Sequence, residues 1–176
     1  MLEVAPLFDD SANNERPFWQ PIGRFVFAFG HIESEIDRCI STLLHIEDSR
    51  RDPSVASQIR NICSRIALLE ALFHLRTTEE TRRTELQRVM AELRAVIKFR
   101  NGLLHGPWGT YSTEQKAWKK PRTDPTDLSP GSFEVTLESI DEYTRRALQL
   151  AKQLSGLIQK VAEEHPIRIA HQPKVR

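Results

Sequence analysis

Apolar residues recur along the first part of the chain at alternating steps of three and four, which is the pattern of one buried helical face. The first run extends from Phe18 to Leu43. Pro53 then interrupts the pattern, because proline is excluded from helix interiors, and Ser54 is a suitable cap for a second helix that ends near Arg76. The apolar positions of the first helix are Phe18, Ile22, Phe25, Phe29, Ile32, Ile36, Ile40 and Leu43.

The second predicted helix has a broader apolar face than the first. A stripe of Val55, Ile59, Ile62, Ile66, Leu69 and Phe73 is widened by Leu68, Leu72 and Leu75. A helix that is apolar over much of its circumference is usually buried on more than one side, so we expect this helix to be central.

Two further helices follow with the same spacing. Threonine and acidic residues from Thr77 onward are typical of a helix start, and Gly106 with Pro107 ends the third helix. Its apolar positions are Leu86, Val89, Met90, Leu93, Val96, Ile97, Leu103 and Leu104. The fourth helix begins at Leu137, and its stripe resembles the seam of a bundle. That stripe comprises Leu137, Ile140, Thr144, Ala147, Ala151, Leu154, Ile158 and Val161.

The connection between the third and fourth helices differs from the others in length and composition. Residues 108–135 mix aromatic side chains with Gly, Ser, Thr, Lys and Pro, and end in the alternating run FEVTL. We interpret this segment as a long loop or a small hairpin, and connections of this length are often functional. The pattern predicts an all-α fold, an antiparallel four-helix bundle over residues 18–164, with a flexible arm at 1–17 and a loose tail at 165–176.

Composition narrows the possible environments and partners. A chain of 176 residues can form one core, and its net charge of +1 gives no global attraction to nucleic acid or to a membrane surface. Cys39 and Cys63 stand apart without a CxxC motif, which favours reduced thiols, and no signal peptide or membrane span is visible. We therefore expect a cytoplasmic protein without a membrane partner. His31 with Glu35 and Glu70 with His74 lack further ligands on their faces, so we expect no metal and no cofactor.

The candidate chemistry lies at the end of the third helix, in the string KFRNGLLHGPW of residues 98–108. Arg100 falls on the apolar stripe, where a charge is costly unless it is paired or reaches water. Asn101 and His105 follow on nearly the same face, one helical turn apart. A loose pattern of Arg, four to six residues and then His does not discriminate by itself, because it also occurs at Arg24 with His31 and at Arg38 with His45.

The string RNGLLHG at the end of the third helix of a four-helix protein resembles the motif of the HEPN superfamily (higher eukaryotes and prokaryotes nucleotide-binding). The matching positions are Arg100, Asn101 and His105, and the likeness in architecture covers about residues 18–164. Some toxin members have a tyrosine two residues after the histidine, where this chain has Pro107. The resemblance implies a metal-independent ribonuclease of stress, toxin-antitoxin or antiviral defence systems, acting as a homodimer whose two motifs share one cleft, with an antitoxin or regulatory protein as a further partner.

These residue types suit RNA cleavage without a metal. Histidine can move protons near neutral pH, and arginine grips phosphate with paired donors. We expect Arg100, Asn101 and His105 to be catalytic, with Glu33 or Asp37 on the first helix orienting the arginine. A basic cluster with an interleaved aromatic is the candidate RNA-binding element. It comprises Lys116, Trp118, Lys119, Lys120 and Arg122.

Other interpretations of the same residues remain open. Arg100 could form a structural ion pair with a carboxylate of the first helix, and His105 could favour the negative end of the helix dipole. The basic cluster could be a solvated loop whose Trp118 packs on the bundle. The corresponding alternative functions are a non-catalytic HEPN-like module that binds a protein or nucleotide, and a structural helical protein without a ligand.

Overall fold

The computed structural model of the protein describes residues 16–44, 59, 61–105, 110–112, 117–121 and 132–164, and for 16–17, 110–112, 117–121 and 132–133 the description is confined to the backbone. The described residues form four helices, which confirms the all-α fold class and the helix order. The helices are α1 (Arg16–Leu44), α2 (Ile62–Arg76), α3 (Glu80–Leu104) and α4 (Leu137–Glu164). Three short strands lie between α3 and α4, namely β1 (Thr110–Ser112), β2 (Ala117–Pro121) and β3 (Ser132–Thr136).

The strands form a small antiparallel sheet in the order β1-β2-β3. β1 pairs with β2 as the hairpin predicted for this connection, with Tyr111 opposite Trp118. β3 adds a third strand, with Val135 opposite Trp118 and Glu134 opposite Lys119. All of the alternating run FEVTL except Leu137 therefore lies in strand β3, and Val135 of this strand is buried.

The described chain groups into two compact units, and α1, α3 and α4 each contribute one half to each of them. The first unit contains residues 16–30, 93–104 and 137–148 of these helices together with the three strands. Its buried side chains are Phe18, Phe25, Ala28, Phe29, Leu93, Val96, Ile97, Phe99, Leu103, Val135, Ile140 and Ala147.

The second unit contains α2, the C-terminal halves of α1 and α4, and the N-terminal half of α3. Its core follows the predicted stripes and includes Cys39 among the aliphatic side chains. The buried positions are Ile32, Ile36, Cys39, Ile40, Leu43, Ile66, Leu69, Phe73, Leu86, Val89, Met90, Leu150, Ala151, Leu154, Leu157, Ile158 and Val161.

Two predictions about the second helix are wrong. The predicted helix does not run unbroken to Arg76, because Ile59 and Asn61 are not helical and α2 begins at Ile62. Asn61 adopts an extended backbone, and its side-chain oxygen accepts from the backbone N–H of Cys63 at 2.8 Å, as expected of a helix cap. The predicted start at Ser54 lies outside the described residues. α2 is also not covered on several sides, since Leu75 is 82% exposed and its buried positions form one stripe of Ile66, Leu69 and Phe73.

α4 follows β3 without an intervening loop. The backbone N–H of Ser139 donates to Thr136 Oγ1 at 2.9 Å, and the backbone N–H of Thr136 donates to Ser139 Oγ at 3.0 Å. This reciprocal pair satisfies two backbone donors at the helix start, in the manner of a capping box. The last residue of the sheet is therefore also the cap of the helix.

Several predicted features lie outside the described residues. These are residues 1–15 of the arm, the tail at 165–176, Lys116, Arg122 and the Gly106–Pro107 helix stop. None of the described helices combines the length and the apolar character that crossing a lipid bilayer requires.

Candidate functional site

The C-terminal end of α3 brings the three predicted catalytic residues together. Arg100 Nη1 lies 3.2 Å from Asn101 Oδ1 and 2.9 Å from His105 Nε2. His105 directly follows the last residue of α3, and its backbone N–H donates to the carbonyl oxygen of Asn101 at 3.0 Å. This bond extends the helical pattern by one residue and places the imidazole beside the guanidinium.

The contact between Arg100 and His105 indicates which ring nitrogen accepts a hydrogen bond. A guanidinium carries five N–H donors and no acceptor, so Nε2 of His105 accepts the bond and the ring proton lies on Nδ1 in this contact. An imidazole in this form holds a lone pair on Nε2 and is able to take a proton once the arginine releases it.

The Arg100 guanidinium packs against an aromatic ring. The guanidinium carbon lies 5.5 Å from the centroid of the Phe29 ring, in the arrangement of a cation–π interaction. No carboxylate contacts Arg100 within the part of the chain that the structure describes. Its Nε is buried and has no hydrogen-bond partner there. The guanidinium is half-buried, and no described residue supplies it with a paired anion.

The same end of α3 is open to a ligand. Asn101 and His105 are exposed, and Arg100 is of intermediate exposure. Arg100 reaches them from the inward stripe of the helix, as the sequence predicts. A phosphate approaching from solvent would meet an amide, an imidazole and a guanidinium, which together offer several donors and one proton acceptor.

The predicted supporting acids have a different partner. Asp37 accepts from Arg65 Nη1 at 3.1 Å through each of its two carboxylate oxygens, and Glu33 Oε1 lies 3.4 Å from Arg65 Nη2. Arg65 belongs to α2, so these acids join α1 to α2. The assignment of Glu33 and Asp37 to Arg100 is therefore corrected, and so is the interpretation of Arg100 as the ion-pair partner of these first-helix carboxylates.

The candidate RNA-binding residues Trp118, Lys119 and Lys120 lie in β2, the central strand of the sheet. Lys119 is opposite Glu134 of β3, and Lys120 is opposite Phe133. The structure thus fixes their backbone in a strand and not in an irregular loop. β1–β3 belong to the same unit as Arg100 and His105.

Sequence reasoning missed the role of Phe29 beneath Arg100. The signal was present, because Phe29 and Arg100 both occupy inward positions of their helices. It also missed an aromatic stack in the same unit, where Phe99 and Tyr143 lie parallel with centroids 3.9 Å apart and Phe25 meets Phe99 edge-on at 5.3 Å. A pairing between helices needs three-dimensional neighbours, which helical spacing does not provide.

A second polar cluster lies in the other unit, around Glu35. Arg38 Nε donates to Glu35 Oε2 at 3.0 Å, and Arg38 also donates to Ser155 Oγ. Burial alone would raise the pKa of Glu35, but hydrogen bonds from Arg38 and Ser155 and the charge of Arg38 outweigh it, so the pKa lies below its ordinary value. Burial, together with the charge of Glu35, raises the pKa of the Cys39 thiol well above its usual range.

A cavity of about 370 Å³ adjoins this cluster, lined by Arg38, Cys39, Thr42, Ser155, Ile158, Gln159, Ala162 and Glu163. Its arginine is already paired with Glu35, and its thiol is buried and protonated. The arginine of this cavity is therefore neutralised by a carboxylate, unlike Arg100 at the end of α3. The described residues contain no group of three or more His, Cys, Asp or Glu side chains placed to hold a metal ion.

Comparisons of the chain with protein-family models, with curated proteins and with solved structures find no match.

Proposed function

We propose that this chain is a cytoplasmic, metal-independent endoribonuclease of a stress, toxin-antitoxin or antiviral defence system, and that it acts as a homodimer. One observation carries the proposal. Arg100 presents a cation with no paired carboxylate among the described residues, and this cation touches an exposed imidazole and an exposed amide. A structural arginine would instead be paired, as Arg65 is with Asp37 and Glu33.

The reaction follows from the donors and acceptors present. His105 Nε2 takes the proton of an RNA 2′-hydroxyl, and the 2′-oxygen forms a bond to the adjacent phosphorus. Arg100 stabilises the charge that develops on the phosphorane oxygens, and Asn101 orients the phosphate or the imidazole. The bond from phosphorus to the 5′-oxygen breaks as that oxygen receives a proton. The products are a 2′,3′-cyclic phosphate and a 5′-hydroxyl.

The proton donated to the leaving oxygen requires a second group. A neutral His105 acts as the base, so the acid must be a different, protonated side chain. A second copy of the chain would supply the imidazolium from its own His105, which is why the proposal includes a homodimer. Lys119, Lys120 and Trp118 of β2 would hold the RNA backbone and stack a base.

The experiment is cleavage of a single-stranded RNA in the presence of EDTA, with the RNA ends identified by mass spectrometry. We expect 2′,3′-cyclic phosphate ends, no cleavage of the same sequence as DNA, and loss of cleavage in Arg100→Ala and in His105→Ala. Arg88→Ala and His31→Ala are matched controls, because both side chains are exposed on α3 and α1. An inactive wild-type chain, unchanged cleavage in both site variants, or loss of activity in EDTA would each contradict the proposal.

One observation favours a second candidate, a non-catalytic module that binds a partner protein. Trp19, Val26 and Phe27 of α1 are 56%, 43% and 80% exposed. Clustered exposed apolar side chains on one helix are typical of protein-binding surfaces. The candidates separate in one assay, because under this one no RNA is cut and substitution of Phe27 by Ser impairs capture of the partner, whereas Arg100→Ala does not.

A further inference from the structure

The ring beneath the proposed catalytic arginine is a distinctive feature of this site. Phe29 is 4% exposed, and the Arg100 guanidinium carbon lies 5.5 Å from its centroid. The remaining described contacts of the guanidinium go to Asn101 and His105, and both are neutral groups. Phe29 is thus a principal neighbour of a charge that no described anion neutralises.

An aromatic face and a carboxylate hold an arginine with different consequences. A carboxylate cancels the positive charge and occupies the donors that would bind phosphate. A ring attracts the cation through its quadrupole, restricts its orientation and leaves the net charge intact. The same ring shields the guanidinium from water on one side, which strengthens its attraction for an anion on the other.

We propose that Phe29 is a positioning residue that holds Arg100 as a fixed, uncompensated cation for the phosphate of the RNA backbone. This inference rests on the proposed function, in which Arg100 contacts that phosphate. Phe29 does not touch the substrate. It acts through Arg100 by fixing the plane in which the guanidinium donors point.

The surroundings of Phe29 support a fixed ring. Phe25 lies next to it with centroids 6.2 Å apart, and Phe25 in turn meets Phe99 edge-on at 5.3 Å. Phe99 is stacked on Tyr143. Phe29 is therefore one end of an aromatic series that extends through the core of its unit. Phe73 is a matched control, because it is equally buried, belongs to the other unit and has no described guanidinium over its ring.

The kinetic test compares Phe29→Leu with Phe73→Leu, each measured at a temperature at which circular dichroism shows it fully folded. Both variants lose a buried ring, but Phe29→Leu alone loses the surface beneath Arg100. We expect Phe29→Leu to lower kcat roughly three- to thirtyfold with a smaller change in KM, and Phe73→Leu to keep kcat near the wild-type value. Equal kcat values in the two variants would overturn the inference.

A second measurement is made on the wild-type protein and does not depend on catalysis or on a Phe29 variant. In a 15N-edited NMR spectrum the Arg100 Nε–H signal is assigned by its disappearance in Arg100→Lys. Because a proton over a ring face is shifted upfield, we expect this signal upfield of the other arginines in the wild-type protein. A signal at an ordinary position in the wild type would overturn the inference.

The two proposals fail in distinguishable ways. A wild-type chain that cuts no RNA contradicts the proposed function, whatever the NMR spectrum shows. A chain that cuts RNA and depends on Arg100, but shows no upfield Nε–H signal or no selective effect of Phe29→Leu, contradicts the positioning role alone.

Discussion

Arg65 Nη1 lies 3.1 Å from each carboxylate oxygen of Asp37, and this two-oxygen contact joins α2 to α1. The arginine side chain is 13% exposed and that of Asp37 is 26% exposed. Glu33 contacts the same guanidinium from one turn earlier but is 37% exposed. Removing the partner of a charge that is shielded from water costs free energy, so this ion pair should contribute measurably to the free energy of unfolding.

We predict that Arg65→Met lowers the free energy of unfolding by about 1–2 kcal/mol, because it leaves two carboxylates without their partner at a partly solvated site. Urea denaturation followed by circular dichroism measures the change. Asp37→Asn should cost more than Glu33→Gln, since Asp37 is less exposed and makes two contacts. A larger loss in Glu33→Gln would contradict this ranking.

The same acids give a functional prediction. Because Glu33 and Asp37 pair with Arg65, we expect Glu33→Gln and Asp37→Asn to leave the rate of RNA cleavage unchanged under conditions in which both variants are folded. The rate is measured beside Arg100→Ala in the EDTA assay. A loss of cleavage comparable to that of Arg100→Ala would restore the role that the sequence suggested for these acids.

The buried carboxylate of Glu35 should make stability depend on pH in the acid range. Its pKa in the folded protein lies below the ordinary value of 4.5, so the ionised form stabilises the fold above that value. This contribution should be lost as the pH falls below 4.5 toward the folded pKa. We expect Glu35→Gln to be less stable than wild type at pH 7 and to show a shallower decline between pH 5 and pH 3.

Thermal unfolding across that pH range measures the effect. Glu85→Gln is a suitable control, because Glu85 is exposed on α3. If Glu35→Gln and wild type lose stability in parallel on acidification, Glu35 does not carry the dependence.

The two cysteines should differ in reactivity. Cys39 is buried, and burial raises the pKa of its thiol, whereas Cys63 is exposed, and neither forms a disulfide. Because the thiolate is the reactive species, we expect a disulfide reagent such as DTNB to titrate Cys63 in the folded protein and both thiols after unfolding. Rapid modification of folded Cys63→Ser would show that Cys39 is accessible.

The helix start at Thr136 gives a fifth prediction. Thr136→Ala removes the acceptor for the backbone N–H of Ser139, and we expect it to lower the free energy of unfolding by ~1 kcal/mol. Thr136→Ser keeps the hydroxyl and should retain most of the stability. Denaturant titration of the two variants provides the comparison, and equal losses would assign the effect to the methyl group.

The sequence predicts the helices well because burial repeats with the helical period. All eight stripe positions of α1 are buried except Ile22, and the stripe of α4 is likewise buried except Leu137 and Thr144. The start of α2 at Ile62 was not indicated by this spacing, although Asn61 is a good helix cap.

At the candidate site the sequence placed Arg100 on the inward face but could not identify its neighbour. Arg65 of α2 and Arg100 of α3 each contact a side chain of α1. Which one meets Asp37 and which one meets Phe29 depends on how the helices lie in three dimensions, and the spacing along one helix does not contain that information.

The direct passage from β3 into α4 has a consequence for changes in chain length. Successive side chains of a strand point to opposite faces, with a period of two residues, whereas successive side chains of a helix are rotated by about 100°. These two periods meet at Thr136 and Leu137 without an intervening residue. One residue inserted here would rotate the apolar stripe of α4 away from the core or reverse the faces of β3. Homologous chains should therefore conserve the length of this junction even where their sequences diverge.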